Sequence, residues 1–236
     1  MAASQNGLIG KGIIMLERIC AWGGPFCAAF FGVGLVLAGF VPPPSPMLQQ
    51  TEIATLYTEH AVAIRSGMVL SLFGLVGYLA LVGAISGQMR RMEIRSRTAC
   101  YLQLGAGTVG MLTVMLPIMI LATAAFRPER DPALTQLLND MGWLVIIPAF
   151  PTFIAQFGAI AAGVFADRSA QPIYPRWVAY FNIWIAILFV PGGFAYFVRT
   201  GAFAWDGLLA FWAAAGAFFV WLLVMCWQVS SASKRG

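Results

Sequence analysis

The chain has 236 residues, of which 60% are hydrophobic and only 10% charged, with a formal net charge of +5; its mean hydropathy is +0.82. Soluble domains carry roughly 25% charged residues, so these figures exclude a water-soluble globule, and they exclude a disordered chain equally. What remains is a polytopic membrane protein, read here as a single domain over 1–236.

A helical span takes about 20 apolar residues, and six runs meet that length: Ile19–Val41, Ser66–Gly87, Thr98–Phe126, Met141–Ala166, Trp177–Val198 and Gly207–Val229. Continuous apolar runs are unlike the alternating pattern of membrane strands. The expected fold is therefore all-α, a bundle of six transmembrane helices.

The first run begins after Lys11 and Arg18, with Gly12-Ile13-Ile14-Met15-Leu16 suited to an interfacial helix. It is too long for the apolar core of a secretory signal, roughly 7–15 residues, and reads as a retained span. Pro42-Pro43-Pro44 should stop it. In the loop that follows, Ser45-Pro46 has the form of a helix start. Ile53, Leu56, Tyr57, His60 and Ile64 then recur at helical spacing, which predicts a short extracytoplasmic amphipathic helix running into the second span.

The third run is long for a bilayer, so tilt, a kink at Pro117 or a helical extension beyond the bilayer is expected. Asp131-Pro132 is a second cap-plus-proline start. Pro148 and Pro151, one turn apart, should bend the fourth span. In the fifth, Pro191 precedes Gly192-Gly193. Gly32, Gly34, Gly39, Gly83, Gly87, Gly105 and Gly107 suit close helix packing.

Lys and Arg are retained on the cytoplasmic side. With the N-terminus inside, Lys11, Arg18, Arg90, Arg91, Arg95, Arg97, Arg168, Arg176, Lys234 and Arg235 are cytoplasmic, and only Arg65, Arg127, Arg130 and Arg199 face out. Both termini are thus expected in the cytoplasm, as for a bacterial inner (plasma) membrane protein. The net charge is a topology signal, and no loop is long enough to form a basic nucleic-acid-binding domain.

Several chemistries find no residues. His60 is the one histidine, which excludes bis-histidine haem ligation within the chain. Lys11 and Lys234 lie outside the spans, so a retinal Schiff base has no partner. No phosphate-binding glycine loop occurs. No cofactor and no metal are expected, and Cys20, Cys27, Cys100 and Cys226 read as buried free thiols.

The candidate site lies at the outer mouth. Glu59, Asp140 and Asp206 each stand at the start of an inward-running span, and His60 lies beside Glu59, on the apolar face of its helix. Together they form a candidate acid/base group with Arg65 and Arg199; helix-capping accounts for the same acids. Trp143, Arg199 and Trp205, with Gln156 and Asn182 deeper in the spans, are candidate ligand-binding residues. A mutual Gln156–Asn182 bond would serve instead as packing glue. Tyr57, Trp143, Tyr196 and Trp205 fall at the outer boundary, and Trp22, Tyr101, Tyr174, Trp177 and Trp227 at the inner one, as aromatic belts do.

No charged residue falls mid-span, which counts against ion coupling. The favoured expectation is a protein that binds or processes a lipid-like or terpenoid-like molecule in a pocket opening to the extracytoplasmic side. The alternatives are a small oligomeric transporter or channel, and a non-catalytic subunit of a larger membrane complex. Expected partners are membrane lipids, such a lipophilic small molecule, and a second copy or a complex partner. The topology has a direct test: impermeant thiol reagents should label cysteines placed within Gln49–Thr58 or Glu129–Gln136 in intact cells. Labelling within Met89–Ser96 would invert it.

Overall fold

The computed structural model describes residue 12 and residues 15–234; Lys11, Ile13, Ile14 and Arg235 lie outside the described residues. Six apolar helices are long enough to cross a membrane, and among the described residues there is no strand. The chain is an all-α, multi-pass membrane bundle.

Helix α1 covers Met15–Leu37. It ends earlier than the prolines require. Gly39, at φ +72°, forms the left-handed terminus, with Phe40 N–H on the Leu35 carbonyl and Gly39 N–H on that of Val36. This double bond satisfies carbonyls a helix end would leave bare. Helix α2, Gln50–Glu59, lies in the following connection. Ser45-Pro46 does not start it, contrary to expectation: the Ser45 hydroxyl and carbonyl close a turn with the Met47 and Leu48 amides. The start moves to Gln49, whose amide donates to the Glu52 carboxylate at 2.7 Å.

Helix α3 runs from Ala61 to Met89 and α4 from Thr98 to Ala124, the latter unbroken through Pro117. The fourth span begins at Pro132, nine residues before the apolar run suggested, and is two helices: α5, Pro132–Ile146, and α6, Phe150–Ala166. Asp131 caps α5, accepting from the Ala133 amide at 2.8 Å. The interruption at Ile147–Ala149 falls where Pro148 and Pro151 remove two successive turns' donors. Helix α7, Trp177–Phe189, tightens at Pro191 into a 3₁₀ segment, Val190–Tyr196. The last span opens with a wide π turn, Leu208–Trp212, and continues as α8, Ala213–Ala232.

The spans pack in chain order, α1 on α3, α3 on α4, α4 on α6, α6 on α7, α7 on α8, and α8 closes on α1. Helix α2 lies on α5 at one end of this ring. The other end holds the basic loops and both ends of the described chain, tied by Gln88. Its amide donates to Glu17 of α1 at 2.5 Å and to Ser233, just past α8, at 2.9 Å. Nearby, Asp167 accepts from Ser169 Oγ and N, from Ile173 N and from Glu93 N. Burial alone would raise its pKa; these bonds outweigh burial and hold it below the ordinary carboxylate value.

The closest contact is between α1 and α3. A Cβ on Gly34 would collide with Ser71 Oγ and the Gly67 carbonyl, one on Gly67 with the Gly34 carbonyl, and one on Gly77 with the Gly23 carbonyl. Gly74 faces the Phe31 amide at 2.8 Å in the same sense. Of the glycines singled out from sequence, Gly34 lies in this seam and Gly87 faces Glu17 of α1 at its end; Gly39, Gly83 and Gly105 face open space.

The aromatic belts are also thinner than expected. Trp22, Tyr101, Trp177, Tyr196 and Trp227 are exposed, whereas Tyr57, Trp143, Tyr174 and Trp205 are buried. Three of the buried four turn their polar atom onto a partner in the protein: Tyr57 and Trp143 onto Asn139, Trp205 onto the Pro44 carbonyl.

The glycine seam carries a stability prediction. Gly67→Ala should destabilise the detergent-solubilised protein by about 1–3 kcal/mol, because the helices must separate to admit the methyl group. Gly83→Ala, with nothing within 4 Å of its Cβ, should be neutral or slightly stabilising. Thermal unfolding of the two variants compares them directly.

Candidate functional site

At the α2 end, Asn139 is the centre of a buried polar cluster. It is fully buried on α5, because the face of that helix toward α2 and α4 also carries Thr135, Gly142 and Trp143. Its Oδ1 accepts from the Tyr57 hydroxyl and from the Trp143 indole N–H, both at 3.2 Å, and its amide donates to Asp140 at 3.2 Å. Phe40 packs edge-on against Trp143 and tilted against Tyr57. The cluster therefore fastens α2 to the bundle, helped by Gln136 on the Leu48 carbonyl and Thr58 on that of Pro128. Burial, and secondarily the Asp140 charge, push the Tyr57 pKa up, so it is a neutral donor.

The sequence-predicted acid/base residues are distributed around this cluster. Asp140 is half-buried within it, and Arg199 lies close enough for its charge to act on the carboxylate. Glu59 and His60 are exposed. His60 does not sit on the buried face with Ile53, Tyr57 and Ile64. It is the junction residue between α2 and α3, at φ −110° and ψ 16°, outside regular helix, and it is exposed. Asp206 is half-buried in the tight turn before the π segment. No hydrogen bond or ion pair joins Glu59, His60 or Asp206 to another candidate site residue among the described residues. Among those residues, no three of His, Cys, Asp or Glu come together as a ligand set for a metal.

Below the cluster lies a cavity of about 370 Å³ between α1, the break in the fourth span, α6, the end of α7, and the π segment with the start of α8. Its walls include Leu35, Trp143, Ile147, Phe153, Phe189 and Trp212. No charged, amide or hydroxyl side chain lines it. Three irregularities of the backbone make the room. Pro148 and Pro151 turn Ile146 and Ile147 toward it; the π segment displaces Phe211 and Trp212; and Gly32 and Gly216 contribute no side chain. Gly192 supports the break, since a Cβ there would strike the Ile147 carbonyl.

Of the expected ligand-binding residues, Trp143 lines this cavity and Gln156, Asn182, Arg199 and Trp205 do not. None of Glu59, His60, Asp140 and Asp206 lines it either. Gln156 and Asn182 do not bond each other. Gln156 Oε1 accepts from the Tyr78 hydroxyl at 2.6 Å, while Asn182 accepts from the Trp221 indole at 2.9 Å and donates to the Val178 carbonyl at 2.8 Å. Each amide was claimed by an aromatic side chain from a third helix, α3 or α8, which spacing along α6 and α7 does not reveal. The cavity walls were equally hidden: Leu35, Ile147, Phe189 and Trp212 look like any other span residues.

Compared with protein-family models, with curated proteins and with solved structures, the chain has no match.

The Asn139 cluster predicts an asymmetry. Asn139→Leu keeps the branched shape but leaves the Tyr57 hydroxyl and the Trp143 N–H buried without an acceptor, at about 1–3 kcal/mol for each. Glu59→Gln and His60→Gln, both exposed, should change stability by less than about 0.5 kcal/mol. Thermal unfolding in detergent ranks the three; equal losses would show that the cluster does not hold α2.

Proposed function

We propose that the protein binds a lipophilic, lipid-like or terpenoid-like molecule in the cavity beneath α2. It does so in the bacterial inner (plasma) membrane, with both termini in the cytoplasm and the cavity in the extracytoplasmic half. The observation that carries this reading is the cavity's lining, which is apolar apart from the indole N–H groups of Trp143 and Trp212. A volume of about 370 Å³ falls in the range of small-molecule sites, about 300–1,000 Å³. A charged molecule entering it would lose its hydration and find no partner, whereas a hydrocarbon loses nothing.

A molecule arriving from the bilayer leaves one apolar medium for another, so the hydrophobic effect contributes little. Affinity then rests on van der Waals fit, small per atom pair and large in sum, and the rings of Trp143, Phe153, Phe189 and Trp212 supply it. Binding is favoured over chemical processing, because no nucleophile and no acid or base borders the cavity. Asn139, which fastens α2, also holds the indole of Trp143 in the cavity wall.

Gly216 tests the reading. It lines the cavity, and its Cβ would meet nothing within 4 Å. Gly216→Phe should leave folding intact and fill the space, reducing the copurified lipophilic species at least about tenfold, as mass spectrometry of solvent extracts would report. A lipid profile identical to that of the unaltered protein would refute it.

A further inference from the structure

Gln156 is fully buried, and its Nε2 has no hydrogen-bond partner. Its Oε1 is already engaged by the Tyr78 hydroxyl. An orphan amide donor inside a membrane bundle costs about 1–3 kcal/mol, and nearly every other buried side-chain polar atom among the described residues is paired; Tyr174 Oη is the exception, at the basic end.

The surroundings of this amide connect it to the cavity. Along one face of α4, Gly107, Gly110 and Val114 follow at helical spacing. A Cβ on Gly107 would lie 2.9 Å from Gln156 Nε2. A Cβ on Gly110 would lie 3.3 Å from the Tyr78 hydroxyl and 3.6 Å from the Phe153 ring. Val114 and Phe153 are walls of the cavity. Phe153 and Phe218, 5.8 Å apart and edge to face, both line the cavity and both pack on Tyr78, at 6.5 and 5.8 Å. The Tyr78–Gln156 pair thus stands behind these two rings, and the α4 face beside it is bare backbone.

We infer that Gln156 Nε2 is the recognition donor for the cavity's ligand, and that this ligand is a neutral apolar molecule carrying a carbonyl oxygen, of the long-chain ketone or quinone class. The inference rests on the cavity being a ligand site. A turn of the Phe153 or Phe218 ring brings the oxygen to Nε2, while the apolar body stays in the cavity. Neutral ligands are selected because Gln156 and Tyr78 carry no charge and no charged side chain lines the approach; an ionised head, a carboxylate or phosphate, would be stranded. The Tyr78 hydroxyl fixes the amide orientation by holding Oε1, which leaves the Nε2 protons as the free donors.

The test uses the purified full-length protein in detergent with an equimolar mixture of hexadecane and 2-hexadecanone, the bound ratio being read by native mass spectrometry. The protein should favour the ketone by about tenfold relative to Gln156→Leu, in which the ratio falls to that set by detergent partitioning. Carbon-13-labelled ketone bound to the unaltered protein should show a carbonyl stretch lowered from its value in hydrocarbon, a readout that needs no variant. Binding of both probes with no preference over Gln156→Leu, or an unshifted carbonyl stretch, overturns the inference and leaves the cavity reading standing. Binding of neither probe overturns both.

Discussion

The close approach of α1 and α3 is the constraint on which the rest of this bundle depends. Inside a bilayer, helices gain little from leaving lipid, so they associate through backbone proximity and polar contacts. Gly23, Gly34, Gly67, Gly74 and Gly77 let the two backbones meet directly. That contact also places Ser71 under the Phe31 carbonyl, at 3.3 Å, and orients Tyr78 into the middle of the bundle, where it is fully buried among Phe153, Phe218 and Trp221. Helix α8 then completes the ring against α1 through Gly24, where a Cβ would meet the Leu222 carbonyl at 2.5 Å.

Against this tightly packed side, the opposite half is built from interruptions. The break at Ile147–Ala149 and the π turn at Leu208–Trp212 border the cavity, and the 3₁₀ segment after Phe189 packs on both. Irregular backbone within a membrane is tolerated where protein covers it. Here the covering is specific: Gly192 against the Ile147 carbonyl, and the Tyr196 hydroxyl on the Leu144 carbonyl at 2.8 Å. The same features that cost helical hydrogen bonds open the cavity.

Buried polar groups divide by role. Asn139 at one end and Gln88 at the other each join three partners and close the ends of the bundle. Ser86 with Gln103, and Asn182 with Trp221, pin neighbouring helices between them. Gln156 differs from these in having a donor to spare, one turn of α6 from Phe153 in the cavity wall.

Six spans, the apolar character of the chain, the helix start at Asp131-Pro132 and the break at Pro148–Pro151 were legible in the sequence, because each follows from local composition or from the geometry of proline. The extent of the fourth span was not, since the segment before Met141 gains its helical order by packing on α2 and α4. His60 fits the helical spacing of its apolar neighbours, yet it is the junction residue between α2 and α3 and is exposed. Tyr57 and Trp205 have the composition of interfacial anchors, but partners from distant parts of the chain, Asn139 and Pro44, bury them. Sequence alone therefore determined that this chain crosses a membrane six times as helices, since hydropathy and proline act within one turn. Only the tertiary structure decided which glycines touch, which amides pair and where a cavity opens, since those depend on atoms of different helices, as Asn182 and Trp221 meet across 39 residues and Tyr78 and Gln156 across 78.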